Sequence, residues 1–351
     1  MTGPSGERPS GGLARVVGGG GSRAGRDSGG AVRRVGIRCD AGVKSGVGHL
    51  IRCVALAEEL LGRGVEVLFL GDVAGSAWAR TQLLARGLPL VPAPGSPEGL
   101  AWLVGELRLD AVVLDSYELS PGTGAAVMET GAAVLAIIDG DPLGQEADLY
   151  LDQNLGAERR PFPRSARRLA GARYVLLRDS VRERRRSVRA GRAVPRVLCF
   201  FGGTDSAGVA PAWSEALRAT GLPFQATVVS PASFAVDGPF TVIPPTDRLP
   251  ELMAEADLVV TAAGSAIWEL LYLGVPTALS WVADNQLIGY QELVRGGIAA
   301  GLGRAADGAA VAVLARLLAD PGLRERYGRR AGGLVDGRGR ERVADAMLAL
   351  S

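Results

Sequence analysis

Two strand-like apolar runs, Val35 to Cys39 and Arg196 to Phe201, each end in a glycine loop that opens a helical pattern, and each begins a long strand–helix alternation. This repetition constrains the fold more than any other feature. Short apolar strands separated by helices suit parallel sheets buried on both faces. In the first half the expected strands are 35–39, 65–70, a short one near Leu90, 111–114, 133–138 and 148–151, with helices at 50–61, 76–86 and 97–107. In the second half they are 196–201, 224–229, 240–243, 258–261 and 277–280, with helices through about Thr220, at 249–255 and at 267–273. Helices from about Gly308 to Leu350 are expected to close the second half. The fold class is therefore α/β, with two doubly wound, Rossmann-like domains facing a cleft. Ligands of such sheets bind beyond the carboxyl ends of the strands.

The length of 351 residues suits two domains rather than one core. Residues 1–31, rich in Gly, Ser and Arg, read as a disordered leader. The expected division is then an N-terminal domain at 32–178, a linker at 179–195 and a C-terminal domain at 196–351. The run Arg182-Glu-Arg-Arg-Arg186 in that linker reads as a solvated helix, because no aromatic residues interleave with its charges. A formal charge of +2 gives no concentrated basic face, so nucleic acid is not an expected partner. Cys39, Cys53 and Cys199 lie in apolar contexts without metal-ligand spacing, which fits buried free thiols in a reducing cytoplasm. No run of about 20 apolar residues suggests a membrane span, and no apolar signal-peptide core stands at the N-terminus. No cofactor and no metal is implied.

The single histidine, His49, stands at the mouth of the first helix, in Asp40-Ala-Gly-Val-Lys-Ser-Gly-Val-Gly-His-Leu-Ile-Arg-Cys53. Imidazole exchanges protons near neutrality, and a helix start after glycines presents backbone N–H groups to an anion. The pattern points to acid/base chemistry beside a phosphate. Backbone donors at Gly46 to Gly48 and at Gly202-Gly203-Thr204 can approach one anionic ligand from opposite sides of a cleft, although either loop alone also reads as a tight turn. Gly264 and Ser265 start a helix after a strand, and Glu269 one turn later can accept two hydrogen bonds from a ribose diol or simply favour the helix dipole. Asn285 and Gln286 reach the same edge, to hold a base, a ribose, a sugar or only a turn. Asp40, Asp115 and Asp139 each follow a strand end, with Tyr117 two residues beyond Asp115, so together they describe a polar crevice; any one of them can instead cap the next helix.

Seven motifs then occur in one order: Gly46-Val-Gly-His-Leu-Ile-Arg-Cys53, Asp115-Ser-Tyr117, Leu151-Asp-Gln-Asn154, Tyr174-Val-Leu-Leu-Arg178, Phe201-Gly-Gly-Thr-Asp205, Ala263-Gly-Ser-Ala-Ile-Trp-Glu269 and Ala283-Asp-Asn-Gln286. Over about Val35 to Leu293 the chain resembles the PseG/SpsG family, the UDP-sugar hydrolases of pseudaminic acid biosynthesis. The resemblance implies a two-domain GT-B fold related to the peptidoglycan N-acetylglucosaminyltransferase. It also implies metal-free hydrolysis, with inversion, of UDP-2,4-diacetamido-2,4,6-trideoxy-β-L-altropyranose. On this likeness His49 is the base for water, and Gly264, Ser265, Glu269 and Gln286 hold UDP; the strand-end crevice adds Asp40 and Tyr117 as further catalytic candidates. Read from the residues themselves, Gly202, Gly203, Thr204 and Asn285 join Gly264, Ser265, Glu269 and Gln286 in the nucleotide site, and Gly46, Gly48, Asp115, Asp139 and Asn154 form the sugar site. Where the family carries Arg-Pro-Glu this chain has Arg178-Asp-Ser180, and the paired aspartates followed by a basic residue and His are replaced by Asp139-Gly-Asp-Pro-Leu-Gly-Gln-Glu146. The expected function is hydrolysis of a UDP-linked deoxyamino sugar at its anomeric carbon. Its alternatives are transfer of the sugar to an acceptor and non-catalytic nucleotide-sugar binding.

Overall fold

The computed structural model describes residues 31–41, 47–73, 76–184 and 192–350. Its first half runs β1 (Arg34–Cys39), α1 (Gly48–Gly62), β2 (Glu66–Leu70), α2 (Ala77–Leu84), β3 (Leu90–Val91), α3 (Pro97–Glu106), β4 (Ala111–Asp115), α4 (Thr123–Glu129), β5 (Ala133–Ile137), β6 (Leu149–Asp152) and β7 (Arg168–Ala170). These strands form a parallel seven-stranded sheet in the order β3-β2-β1-β4-β5-β6-β7. The helix starts follow from sequence: Ser76 caps α2 through the Ala79 amide, and Ser96 caps α3 through Gly99 with Pro97 in the first turn.

After α5 (Asp179–Arg182) come β8 (Arg196–Phe200), α6 (Ala210–Arg218), β9 (Gln225–Val229), β10 (Phe240–Ile243), α7 (Leu249–Glu255), β11 (Leu258–Ala262), α8 (Ala266–Leu273), β12 (Thr277–Ser280), α9 (Leu287–Arg295) and β13 (Ala300–Gly303). A second parallel sheet has the order β10-β9-β8-β11-β12-β13. The chain closes with α10 (Gly308–Ala319), α11 (Pro321–Ala331) and α12 (Gly339–Leu348). In each sheet the strand order reverses beside its first strand, between β1 and β4 and between β8 and β11, so the carboxyl ends there open a crevice. Among the described residues no helix is long and apolar enough to cross a membrane.

Both sheets are covered on both faces by apolar clusters. The expectation that all C-terminal helices close the second half is corrected by α12, whose Val343, Ala344 and Met347 are buried in the first core against α1. Arg340 beside them is ion-paired to Glu58, Glu59 and Asp179. The connection between lobes also begins before residue 179. Leu176 packs into the first core, whereas Val175, Leu177 and Val181 belong to the second. Of the basic run, Arg182 lies in α5 and pairs with Glu341, while Arg185 and Arg186 lie outside the described residues. Among the elements with no counterpart in the expected set are β7, α9 and β13. β7 is a three-residue edge strand, β13 reads Ala-Gly-Leu-Gly, and α9 carries an internal Gly289, so local propensity speaks against each.

Candidate functional site

A cleft of about 450 Å³ lies between the carboxyl ends of the two sheets, within the usual size for a small-molecule site. A second hollow, of about 530 Å³, lies at the amino ends of β8, β9 and β10, the end that ligands of such sheets avoid. The cleft is where the chemistry-bearing side chains converge.

The lobes meet closely at its floor. A Cβ on Gly48 would sit 2.5 Å from Ser265 Oγ, and one on Gly203 would sit 2.4 Å from Val47 Cγ2, so glycine at both positions permits the approach. This places His49, the second residue of α1, against the nucleotide-side loops. Gly46 lies outside the described residues.

His49 Nδ1 is 2.5 Å from Asp115 Oδ1. Asp115 is fully buried and receives Arg52 through Nε at 2.8 Å and Nη2 at 2.6 Å, and also the Cys53 thiol at 3.2 Å. Burial by itself would raise the Asp115 carboxyl, but the charges and hydrogen bonds of Arg52 and His49 outweigh it and hold the group well below the usual carboxylate range. An ionised carboxylate only accepts, so the proton between the two groups belongs to His49 Nδ1, and in the neutral imidazole Nε2 is then the acceptor. Arg52 Nη2 also lies 3.1 Å from Nδ1, but a guanidinium has no lone pair to offer and its short bond goes to Asp115. Nε2 has no partner among the described residues, and His49 lines the cleft.

Arg52 extends this network to Asp139 at 3.2 Å. Asp139 also accepts from Asn154 Nδ2 at 2.8 Å and from the Tyr117 hydroxyl. Burial opposes ionisation of Asp139, yet Arg52 and the Tyr117, Arg52 and Asn154 hydrogen bonds bring its pKa down to about 2. Burial and then the Asp139 charge push the Tyr117 phenol well up, so it serves as a donor, not a base. Its ring meets the His49 ring edge-on, with centroids 4.7 Å apart.

Two expectations need correction. Asp115 does not line the cleft as a sugar contact; its acceptors are occupied beneath His49, where it orients the imidazole. Asp40 is not part of the cleft lining either. It pairs with Arg38 Nη1 at 2.6 Å and accepts from the Asp72 amide at 3.0 Å, which ties the ends of β1 and β2 together. Tyr117, Asp139, Asn154 and Gly48 do line the cleft.

On the second lobe Gly202, Gly203 and Thr204 follow β8 and line the same cleft, as do Gly264, Ser265, Glu269, Asn285 and Gln286. The amides of Ser265 and Ala266, at the start of α8, have no acceptor among the described residues. Gln286 Oε1 accepts from the Val282 amide at 3.0 Å, which orients the side-chain amide beside Gly264. Glu269 is gripped by Arg178, with Nε to Oε1 at 2.8 Å and Nη2 to Oε2 at 3.0 Å. Arg52 and Arg178 both stand in the quoted motifs, but their partners are far away in sequence, so no local signal revealed their roles. Cys39, Cys53 and Asp115 also come within 4.8 Å of one another, a cluster their sequence spacing does not suggest. It does not suit a metal, because the Arg52 guanidinium already occupies both oxygens of Asp115.

No protein-family profile matches the chain. An uncharacterized protein of Methanocaldococcus jannaschii is similar, at 21% identity over 285 residues, 75% of this chain and 58% of that protein. The chain thus spans about three-fifths of the length of that curated relative. Among solved structures the chain is similar to MurG of Acinetobacter baumannii, with a TM-score of 0.66 and 18% identity over 91% of this chain and 100% of that one. It is similar to MnaA of S. aureus solved with UDP, with a TM-score of 0.65 and 11% identity over 90% and 96% of the two chains. A third, the spinosyn forosaminyltransferase SpnP, gives 0.63 and 15% over 91% and 99%. The fold is GT-B, with two parallel-sheet α/β lobes of seven and six strands.

Proposed function

We propose that the chain binds a UDP-linked sugar in the cleft and transfers the sugar from UDP to an oxygen nucleophile deprotonated by His49. The observation that carries this reading is the buried Asp115 carboxylate on His49 Nδ1, which leaves Nε2 as the proton acceptor at the cleft. In the step, the acceptor oxygen attacks the anomeric carbon and gives its proton to Nε2. The bond from that carbon to the UDP oxygen breaks, and UDP leaves with the electron pair. The amides at the start of α8 and in the Gly202 to Thr204 loop meet the charge that grows on the diphosphate. Glu269 receives the ribose diol, and Asn285 and Gln286 border the nucleotide. Tyr117, Asp139 and Asn154 face the sugar.

Fold neighbours named as glycosyltransferases, SpnP among them, support an acceptor hydroxyl as the nucleophile. A second reading, with water in its place and free sugar as the product, is supported by the seven motifs that stand in register with the UDP-sugar hydrolases. Non-catalytic binding would have no use for an imidazole held in this way.

The test is to incubate the protein with a panel of UDP-deoxyamino sugars, with and without acceptor alcohols, and to follow UDP release and the sugar product. Acceptor-dependent UDP release and a glycosylated product are expected, and His49→Gln should lower turnover by about 10² to 10⁴ while UDP affinity stays nearly unchanged. Free sugar carrying ¹⁸O from labelled water, formed equally without acceptor, would move the assignment to hydrolysis. Full activity of His49→Gln would remove the base from the scheme.

A further inference from the structure

Arg178 lies where the connecting segment passes between the lobes, and its side chain is only 5% exposed. Its backbone is held on both sides. Leu177 and Val181 are buried in the second core, and the amide of the next residue, Asp179, donates to Glu58 Oε2 of α1 at 2.7 Å. The guanidinium fork meets Glu269 edge to edge, at 2.8 and 3.0 Å, and both residues line the cleft. The paired geometry fixes the plane of the carboxylate, since a planar fork satisfies two oxygens only in one orientation. Each Glu269 oxygen has two acceptor directions and spends one on Arg178, so one remains on each oxygen. The fork takes the inward direction of each oxygen, so the free acceptor on each points outward along its own edge of the carboxylate, where a ribose hydroxyl can meet it.

We propose that Arg178 is the positioning residue for ribose recognition, holding Glu269 so that its outward-facing acceptors are presented to the ribose hydroxyls of the nucleotide. The inference rests on the reading that the cleft takes UDP and that Glu269 faces its ribose. Arg178 touches the nucleotide only through Glu269, so its substitution acts on the diol and not on the phosphates or the base.

Calorimetry with UDP and with 2′,3′-dideoxyuridine diphosphate, on the full chain, tests this. The unaltered protein should bind UDP about 10- to 100-fold more tightly than the dideoxy analogue, the usual worth of hydrogen bonds to a charged acceptor. Arg178→Lys keeps a cation against the buried Glu269 but cannot hold both oxygens. It should bring the preference for UDP to within about threefold of parity, with the affinity for the dideoxy analogue little changed. Arg178→Met is a second variant expected to lose the preference in the same way. Equal weakening of both ligands, with the preference intact in either variant, would make Arg178 merely structural and overturn the proposal. If the preference persists in Arg178→Lys but vanishes in Glu269→Ala, the ribose reading stands and only the role of Arg178 falls. Equal affinity of the unaltered protein for UDP and its dideoxy analogue would instead sink the ribose reading itself.

Discussion

At the scale of single residues, the site is organised around one cation that the carboxylates share. Arg52 holds Asp115 by two donors and reaches Asp139 with the rest of its fork, so one buried and one partly buried acid stay ionised beside one histidine. Removing either partner would strand a buried charge, the costly half of such an arrangement. The pH dependence follows from the sign of the shift. Asp139 stands at about 2, below its usual value, so its contribution to stability is complete above about pH 4 and is lost as pH falls through about 2. With the side chain 26% exposed, that contribution is of the order of 2 kcal/mol. Asp139→Asn should therefore be less stable at neutral pH and show a shallower loss between about pH 4 and 2 in urea unfolding curves. Parallel curves for the two proteins would mean that Asp139 is not held in its ionised form by the fold. The sequence already grouped Asp115, Asp139 and Tyr117 with His49, because all stand just past strand ends. It did not reveal which carboxylate faces the ligand and which lies beneath the imidazole, since that depends on the depth at which Arg52 is buried.

At the scale of elements, the helices are fitted by close approach as much as by apolar burial. Gly339 opens α12, and a Cβ there would lie 2.2 Å from the Val175 carbonyl oxygen and 2.5 Å from the Tyr174 carbonyl carbon. Both are backbone atoms and cannot swing aside. Gly339→Ala should therefore lift α12 from its seat and cost about 1–3 kcal/mol, measured by urea unfolding of the full chain. A loss below about 0.5 kcal/mol would show that the helix start has room to move. The first helices and central strands were legible because apolar periodicity, Ser caps and glycine stops are local signals. β7 and β13 carry almost none of these signals, and the neighbouring strand supplies what their sequence lacks.

At the scale of the molecule, the two lobes are spliced by chain that belongs to both. Leu176 sits in the first core while its neighbours Val175 and Leu177 sit in the second, and α12 returns from the second lobe to pack on α1. The latch across the cleft is polar: Trp78 Nε1 and Gln82 Nε2 both donate to Asp247, at 2.8 and 2.5 Å. Unfolding either core exposes apolar side chains of segments anchored in the other. Residues 31–350 are thus expected to melt in one cooperative calorimetric transition, with van't Hoff and calorimetric enthalpies equal. Two resolved transitions would show that the lobes unfold independently despite these crossings.

The sequence by itself determined the doubly wound α/β class, the two strand–glycine–helix starts and the set of residues that gather at the carboxyl ends of the strands, because each is written in short-range periodicity. Only the tertiary structure decided the rest. It set Asp40 aside from the cleft and Asp115 beneath His49, a partner 66 residues away. It paired Arg178 with Glu269 across 91 residues, and it gave α12 to the first lobe. The physical reason is common to all four: a charge or an apolar face in a sequence states what kind of partner it needs, while which partner it meets depends on packing between segments that no local pattern links.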